Sequence, residues 1–177
     1  IKLGVNADFT QYSSNQTERT INNTVFTIPI ALKFRNEAVM IQGGFIPSWD
    51  NSDFKLLPDL LADFKVGGEG LIVQLGWLMH YDKGSYKRFA SINPYLKQPS
   101  QLLNTRVNET FGGIKGTFLE HFFYNAKAGL VQFYNMPLFV NEYTTAGPGG
   151  GIVVAGNRFL VRNEEKLNAF QMHGEIG

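Results

Sequence analysis

The sequence predicts an all-β chain, an antiparallel up-and-down meander forming part of a transmembrane β-barrel. Three observations point there: apolar residues alternate with small polar ones over long runs, Gly- and Asn-rich breaks separate the runs, and charge is scarce. Aromatic residues make up 14% of the 177 residues and Asp, Glu, Lys and Arg only 18%, against about 25% charged in an average soluble domain. That balance excludes disorder, which requires few aromatics and high net charge. A formal net charge of +1 argues against a nucleic-acid partner. The absence of Cys removes disulfides, Cys-ligated metals and thiol nucleophiles.

Alternation starts at once, with Ile1, Leu3, Val5, Ala7 and Phe9 on one parity and Lys2, Gly4, Asn6, Asp8 and Thr10 on the other. Phe26, Ile28, Ile30, Leu32 and Phe34 repeat it, and after the break at Asn36-Glu37 come Val39, Ile41, Gly43, Phe45, Pro47 and Trp49, which predicts a hairpin. Pro29 lacks an N–H for the ladder and predicts a bulge or a free edge there. Leu60 to Val66 and Leu71 to Tyr81 flank the cluster Gly67-Gly68-Glu69-Gly70, a second hairpin. Leu56 to Phe64 alternates as a strand, although Pro58 would also permit a short helix. From Tyr86 to Asn104 the period fails and Pro94 and Pro99 mark a long connection.

Strand character resumes from Thr110 to Phe118, then a turn at Glu120-His121 leads into Phe122 to Phe133. A loop is expected from Asn135 to Gly151, and a last hairpin, Ile152 to Arg162 with Leu167 to Ile176, around Asn163-Glu164-Glu165. The expectation is eight to ten strands, no helix, and one unit over residues 1–177. The first residues lack the basic start and apolar block of a signal peptide. Because the chain begins and ends inside patterned segments without an initiator Met, it is taken as a mature product or a portion of a larger barrel without a plug domain.

Alternation alone leaves open whether the apolar face meets a core or lipid. The weaker face is Gly, Asn, Gln, Thr and Ser rather than Lys and Glu, and the strands run near the ~9–11 residues that a tilted strand needs to cross a bilayer. Aromatics near strand ends (Phe9, Tyr12, Trp49, Tyr81, Phe133, Tyr134) suit interfacial girdles. The alternatives are a soluble β-barrel or sandwich that binds a ligand or partner, and an envelope β-domain with an assembly role.

Several short stretches carry a family resemblance: Phe45-Ile46-Pro47-Ser48-Trp49-Asp50, Leu56-Leu57-Pro58-Asp59-Leu60, Gly84-Ser85-Tyr86-Lys87-Arg88-Phe89, Ile92-Asn93-Pro94-Tyr95-Leu96, Leu102-Leu103-Asn104-Thr105-Arg106, Gly112-Gly113-Ile114-Lys115-Gly116 and Asn135-Met136-Pro137-Leu138-Phe139-Val140. On these, Gly44 to Val140 resembles the barrel of TonB-dependent receptors of the Bacteroidetes type. The resemblance implies a barrel of roughly 22 strands in the bacterial outer membrane. It further implies uptake of a large solute of the siderophore, cobalamin or glycan class. The implied partners are outer-membrane lipid, the TonB energy-coupling system through a plug domain that 177 residues leave no room for, and a surface lipoprotein.

No catalytic constellation stands out, and neither an enzymatic role nor a cofactor is expected. His80 with Asp82, Glu120-His121, and His173 with Glu175 have spacings that a metal could use, but each is read as a hydrogen-bonded anchor, so no metal site is assigned. Asp59 and Asp63 are a conceivable carboxylate pair; Gly147 to Gly151 lacks the Lys-Ser/Thr of a phosphate loop. No Ser-centred nucleophile elbow occurs. Three Asn-X-Thr triplets, at Asn15, Asn22 and Asn108, are chance-level matches. The candidate ligand contacts are Tyr86, Lys87, Arg88 and Phe89, an aromatic and basic group suited to an anionic or sugar ligand; alternatively their rings rest on the barrel rim.

Overall fold

A computed structural model describes residues 1–13, 20–66, 70–118, 121–146 and 151–177. In chain order the elements are β1 (Lys2–Leu3), β2 (Asn6–Ser13), β3 (Thr20–Thr27), β4 (Ile30–Arg35), β5 (Val39–Asp50), β6 (Asp53–Lys65), β7 (Ile72–Asp82), α1 (Tyr86–Ile92), β8 (Thr105–Phe118), β9 (Phe122–Ala146) and β10 (Gly151–Ile176). The ten strands form one antiparallel up-and-down sheet.

β1 and β2 pair with β4 and β3 in one unbroken register, and β3 and β4 pair with β5 in another, so the ten strands run as eight lines. The interruption falls at Pro29, which has no N–H to donate. Its carbonyl still accepts from Gly4 N at 3.0 Å, and Ile28 N donates to Pro47 O at 2.9 Å, so the sheet continues through the gap. Among the described residues the sheet is not closed into a barrel: β1 and β2 end it on one side, β10 on the other.

The hairpin between β5 and β6 turns on Asn51 and Ser52, both with positive φ (48° and 87°). Two consecutive left-handed residues give a turn whose twist matches that of the flanking strands. Asn51 tolerates this conformation, and its Oδ1 accepts from Thr24 N at 2.8 Å, tying the turn to β3.

Residues 83–104, between β7 and β8, fold back onto one face of the sheet. They bring Phe89, Leu96 and Leu102 against Ile21, with Tyr12, Tyr86, Phe139, Phe159 and Val161 around them. Tyr12 lies on β2 and Phe159 on β10, so opposite sides of the sheet meet the same segment and the sheet curls around it. Backbone bonds strengthen the seam: Lys97 N donates to Phe159 O at 2.8 Å, and Phe159 N to Tyr95 O at 3.1 Å.

The segment is fastened by a buried amide pair. Asn23 Nδ2 donates to Asn104 Oδ1 (2.9 Å) and to Gly84 O (2.7 Å); Asn104 Nδ2 donates to Asn23 Oδ1 (2.8 Å) and to Asp50 Oδ1 (2.6 Å). Gly84 N and Asn51 Nδ2 fill the remaining acceptor positions. Both side chains thus use their whole bonding capacity while 0% and 1% exposed. A Cβ on Gly84 would collide with the Leu103 carbonyl, so this closure requires glycine.

Three expectations are corrected. A helix exists: α1 is capped by Ser85, whose side chain accepts from Arg88 N, and Asn93 N closes it on Phe89 O. Second, β10 runs unbroken through Asn163-Glu164-Glu165; these polar residues face β9, with Asn163 opposite Pro137 and Glu164 opposite Met136, instead of turning. Third, the stretch after Asn135 continues as β9 through Ala146, because Asn135 takes a positive φ of 59° within the strand and its carbonyl accepts from Asn163 Nδ2 at 3.0 Å. The turns expected over Gly67–Glu69, at Glu120 and over Gly147–Gly150, and the Asn15 triplet, lie outside the described residues.

Asn104→Ala strips four hydrogen bonds and leaves the Asn23 amide buried and half-satisfied. It should lower stability by about 2–4 kcal/mol, read as a shift of the urea midpoint at unchanged slope.

Candidate functional site

The registers sort every strand residue onto one of two faces, and burial divides along them in an unusual sense. The buried strand residues Ile21, Asn23, Ala31, Ser48, Leu57, Thr105 and Val131 all lie on the face that carries the insert; on the other face only Pro58 and Gly116 are buried among the described residues. That same face holds the polar ladder. Gln42 donates to Asp59, Gln74 to Asp63 at 3.1 Å, Lys115 to Asp63 at 2.9 Å, and Lys127 pairs with Glu109.

The other face is apolar and open. Leu3, Phe9, Ile30, Leu32, Phe34, Ile41, Phe45, Leu56, Leu75, Trp77, Ile114, Leu130, Phe170 and Met172 stand on it, each at least 42% exposed. Of the exposed large apolar residues on described strands, only Phe123 belongs to the polar face. A water-soluble sheet hides its apolar face; this one displays it.

The displayed surface is a belt that runs obliquely to the hydrogen-bonded rows. The exposed large apolar residues of this face reach highest at Phe9 on β2, Phe54 on β6, Leu130 on β9 and Phe170 on β10, with half-buried Phe26, Trp49 and Tyr81 between them; farther along β9 and β10 the same face carries half-buried Met136, Leu138, Val140 and Leu160. Phe170 shares a row with Leu130, Thr110, Trp77, Leu60, Gly43 and Leu32, whereas Phe9 lies opposite Thr24. Thr24 and Leu32 are eight residues apart on one strand line, about 26 Å at about 3.3 Å per residue. The seven steps between the outermost lines cover about 34 Å at about 4.8 Å each. The belt edge therefore crosses the rows at about 40°, inside the ~35–45° strand tilt of β-barrels.

Rings and cations line this upper edge. Phe26, Trp49 and Phe54 form a chain with centroids 5.4 and 5.1 Å apart. Farther along, Arg106 lies 4.2 Å over the Tyr134 ring and Lys166 Nζ 5.9 Å from it. Sequence reasoning picked out Trp49, Tyr81 and Tyr134 but missed Arg106 and Lys166. The available signal was parity: Arg106 stands four residues before Thr110 and Lys166 four residues before Phe170.

The candidate ligand contacts are dispersed by the helix. Phe89 is 4% exposed and packs edge-on against Phe139 with centroids 6.0 Å apart. Tyr86 packs edge-on against Tyr12 at 6.1 Å. Arg88 pairs with Asp82, a hydrogen bond that raises the guanidinium pKa above its already high ordinary value. The side chains of Lys87 and Arg88 both stand free of the core, and the Lys87 backbone N–H donates to Tyr12 Oη at 3.2 Å.

His80 and Asp82 share the polar face but separate in role. His80 lines a cavity of about 340 Å³ with Asn6, Thr27 and the Asp8–Lys83 ion pair, while Asp82 holds Arg88. Asp59 and Asp63 belong to the polar ladder. His173 and Glu175 share a face of β10, exposed to solvent, and Glu120 lies outside the described residues. Among the described residues no three His, Cys, Asp or Glu side chains converge as a metal site would require. No described helix is long and apolar enough to cross a membrane, which does not bear on crossing by strands. Comparison with protein-family models, with curated proteins and with solved structures gives no match.

Since Phe89 is core and Lys87 is not, Phe89→Ala should cost about 3–5 kcal/mol and Lys87→Ala less than about 0.5 kcal/mol in the same denaturation assay.

Proposed function

We propose that this chain is an outer-membrane β-barrel segment of a TonB-dependent-receptor-like protein that takes part in uptake of a large solute of the siderophore, cobalamin or glycan class. The observation that carries the membrane assignment is the open apolar belt and its slant. A belt parallel to a membrane must run obliquely across hydrogen-bonded rows when the strands are tilted, and by about the tilt angle. The inward side is consistent: hydrogen-bonded Gln, Asn and Asp and paired Lys and Glu suit a wet or plugged lumen. The receptor family and the solute class rest on the resemblance of Gly44 to Val140 alone.

In this setting the belt meets lipid, and the open sides of the sheet pair with further strands. Energy coupling to the TonB system runs through a plug domain elsewhere in the assembled receptor, and a surface lipoprotein covers its outer mouth.

Depth-resolved substitution tests the membrane assignment. Phe45→Arg, in mid-belt, should cost about 2–4 kcal/mol of stability in bilayers, and Phe9→Arg, at the belt edge, about 0–1 kcal/mol. Equal costs at the two positions, or a clean monomer in buffer without amphiphile, point instead to a soluble β-module whose apolar face a partner covers. Uptake is tested in the producing cell. Loss of the gene should abolish growth on one of a ferric siderophore, cobalamin or a glycan supplied as sole source, and unaffected growth on all of them rejects transport.

A further inference from the structure

We propose that Arg106 and Lys166, on either side of the Tyr134 ring just beyond the apolar belt, hold the phosphate of an anionic lipid headgroup. This rests on the membrane reading and adds a headgroup class and a place to it.

Tyr81, Arg106, Tyr134 and Lys166 occupy one hydrogen-bonded row on the outward face. Two cations therefore flank one aromatic ring, at 4.2 and 5.9 Å from its centroid. Among the described residues neither cation takes part in an ion pair. The nearest carboxylate on this face, Glu164, stands two residues before Lys166 on β10, away from Leu130 and Phe170. Arg106 Nε is buried without a hydrogen-bond partner, although the guanidinium also hydrogen-bonds the Tyr81 side chain. A buried donor of this kind calls for an acceptor, and the guanidinium fork matches phosphate oxygens in pairs.

The surroundings supply the rest of a lipid site. Below the cations a polar chain crosses the outward face: Trp77 Nε1 donates to Asn108 Oδ1 (2.9 Å), Asn108 Nδ2 to Gln132 Oε1 (3.0 Å), and Tyr134 Oη to the same oxygen (3.3 Å). Below that chain stand Leu130 and Phe170, 62% and 65% exposed, where acyl chains would lie. The order along the strands is cation, amide, hydrocarbon, the order of an anionic lipid from phosphate through carbonyl to chain.

The test is lipid retention by the detergent-solubilised full chain in native mass spectrometry, with dioleoylphosphatidylglycerol and dioleoylphosphatidylcholine as probes. Phosphatidylglycerol should be retained in preference, and Arg106→Gln and Lys166→Gln should each weaken its binding about fivefold. Lys33→Gln with Arg35→Gln removes two cations from the opposite face, twice the charge of either single variant, and should leave retention unchanged. Should Arg106→Gln fail to give a β-sheet circular dichroism spectrum, Lys166→Gln, on the outermost strand, carries the comparison. Equal retention of the two lipids, undiminished binding by the variants, an equal loss in the opposite-face control, or displacement of the lipid by inorganic phosphate at like concentration each overturns the inference. A chain that stays monomeric without any amphiphile defeats the membrane reading itself, an outcome distinct from all of these.

Discussion

The reciprocal amide pair of Asn23 and Asn104 is the contact on which the curled sheet depends. With its apolar side chains turned outward, the sheet has little hydrophobic material left to hold its inner face together. Hydrogen bonds take over that task. The two amides, with Asp50, Asn51 and Gly84, join β3, the β5–β6 turn and both ends of the insert in one saturated network. In a dry site such a network is strong and unforgiving, since any unmet donor keeps its full desolvation cost. The small cluster around Phe89 then completes the inner packing and draws β2 and β10 toward the same segment.

An inverted sheet also changes what burial means. Asp63, Glu109, Lys115 and Lys127 would be anomalous in the core of a soluble domain, yet they occupy the more enclosed face here and are paired or hydrogen-bonded. Leu32, Phe45 and Leu130 would be liabilities on a soluble surface, yet they align into one belt. The slant of that belt is a separate fact from its hydrophobicity. A partner protein could cover an apolar patch of any outline, whereas a bilayer requires one whose edges hold a constant height against tilted strands.

Much of this was legible in the residues because a strand's period of two writes the two faces directly into the chain. The parity of Leu3, Phe26, Val73 and Trp77 assigned them to one face, and the registers place them together there. Elsewhere the pattern misled. Asn163-Glu164-Glu165 resembles a turn because turns are polar, but in β10 Asn163 and Glu165 stand on the polar face of the sheet, Asn163 bonded to the Asn135 carbonyl. Helix α1 was missed because seven residues with one buried side chain give no period to detect. Its signals were local instead: Ser85 as cap, and Asn93-Pro94 as the stop. Tyr86, Lys87, Arg88 and Phe89 point to different sides for the same local reason, since a helix separates adjacent residues.

By itself the sequence determined the all-β class, the alternating faces and the near-membrane strand lengths, because these are properties of neighbours a few positions apart. Only the tertiary structure decided which face is enclosed, where the connection between β7 and β8 lies, and that Arg106 and Lys166 flank one ring. Each of these depends on register between strands and on contacts such as Asn23 with Asn104, which join residues 81 positions apart. Alternation reports that a strand has two faces but not what lies against either of them, and that is settled only when distant strands close upon the same segment.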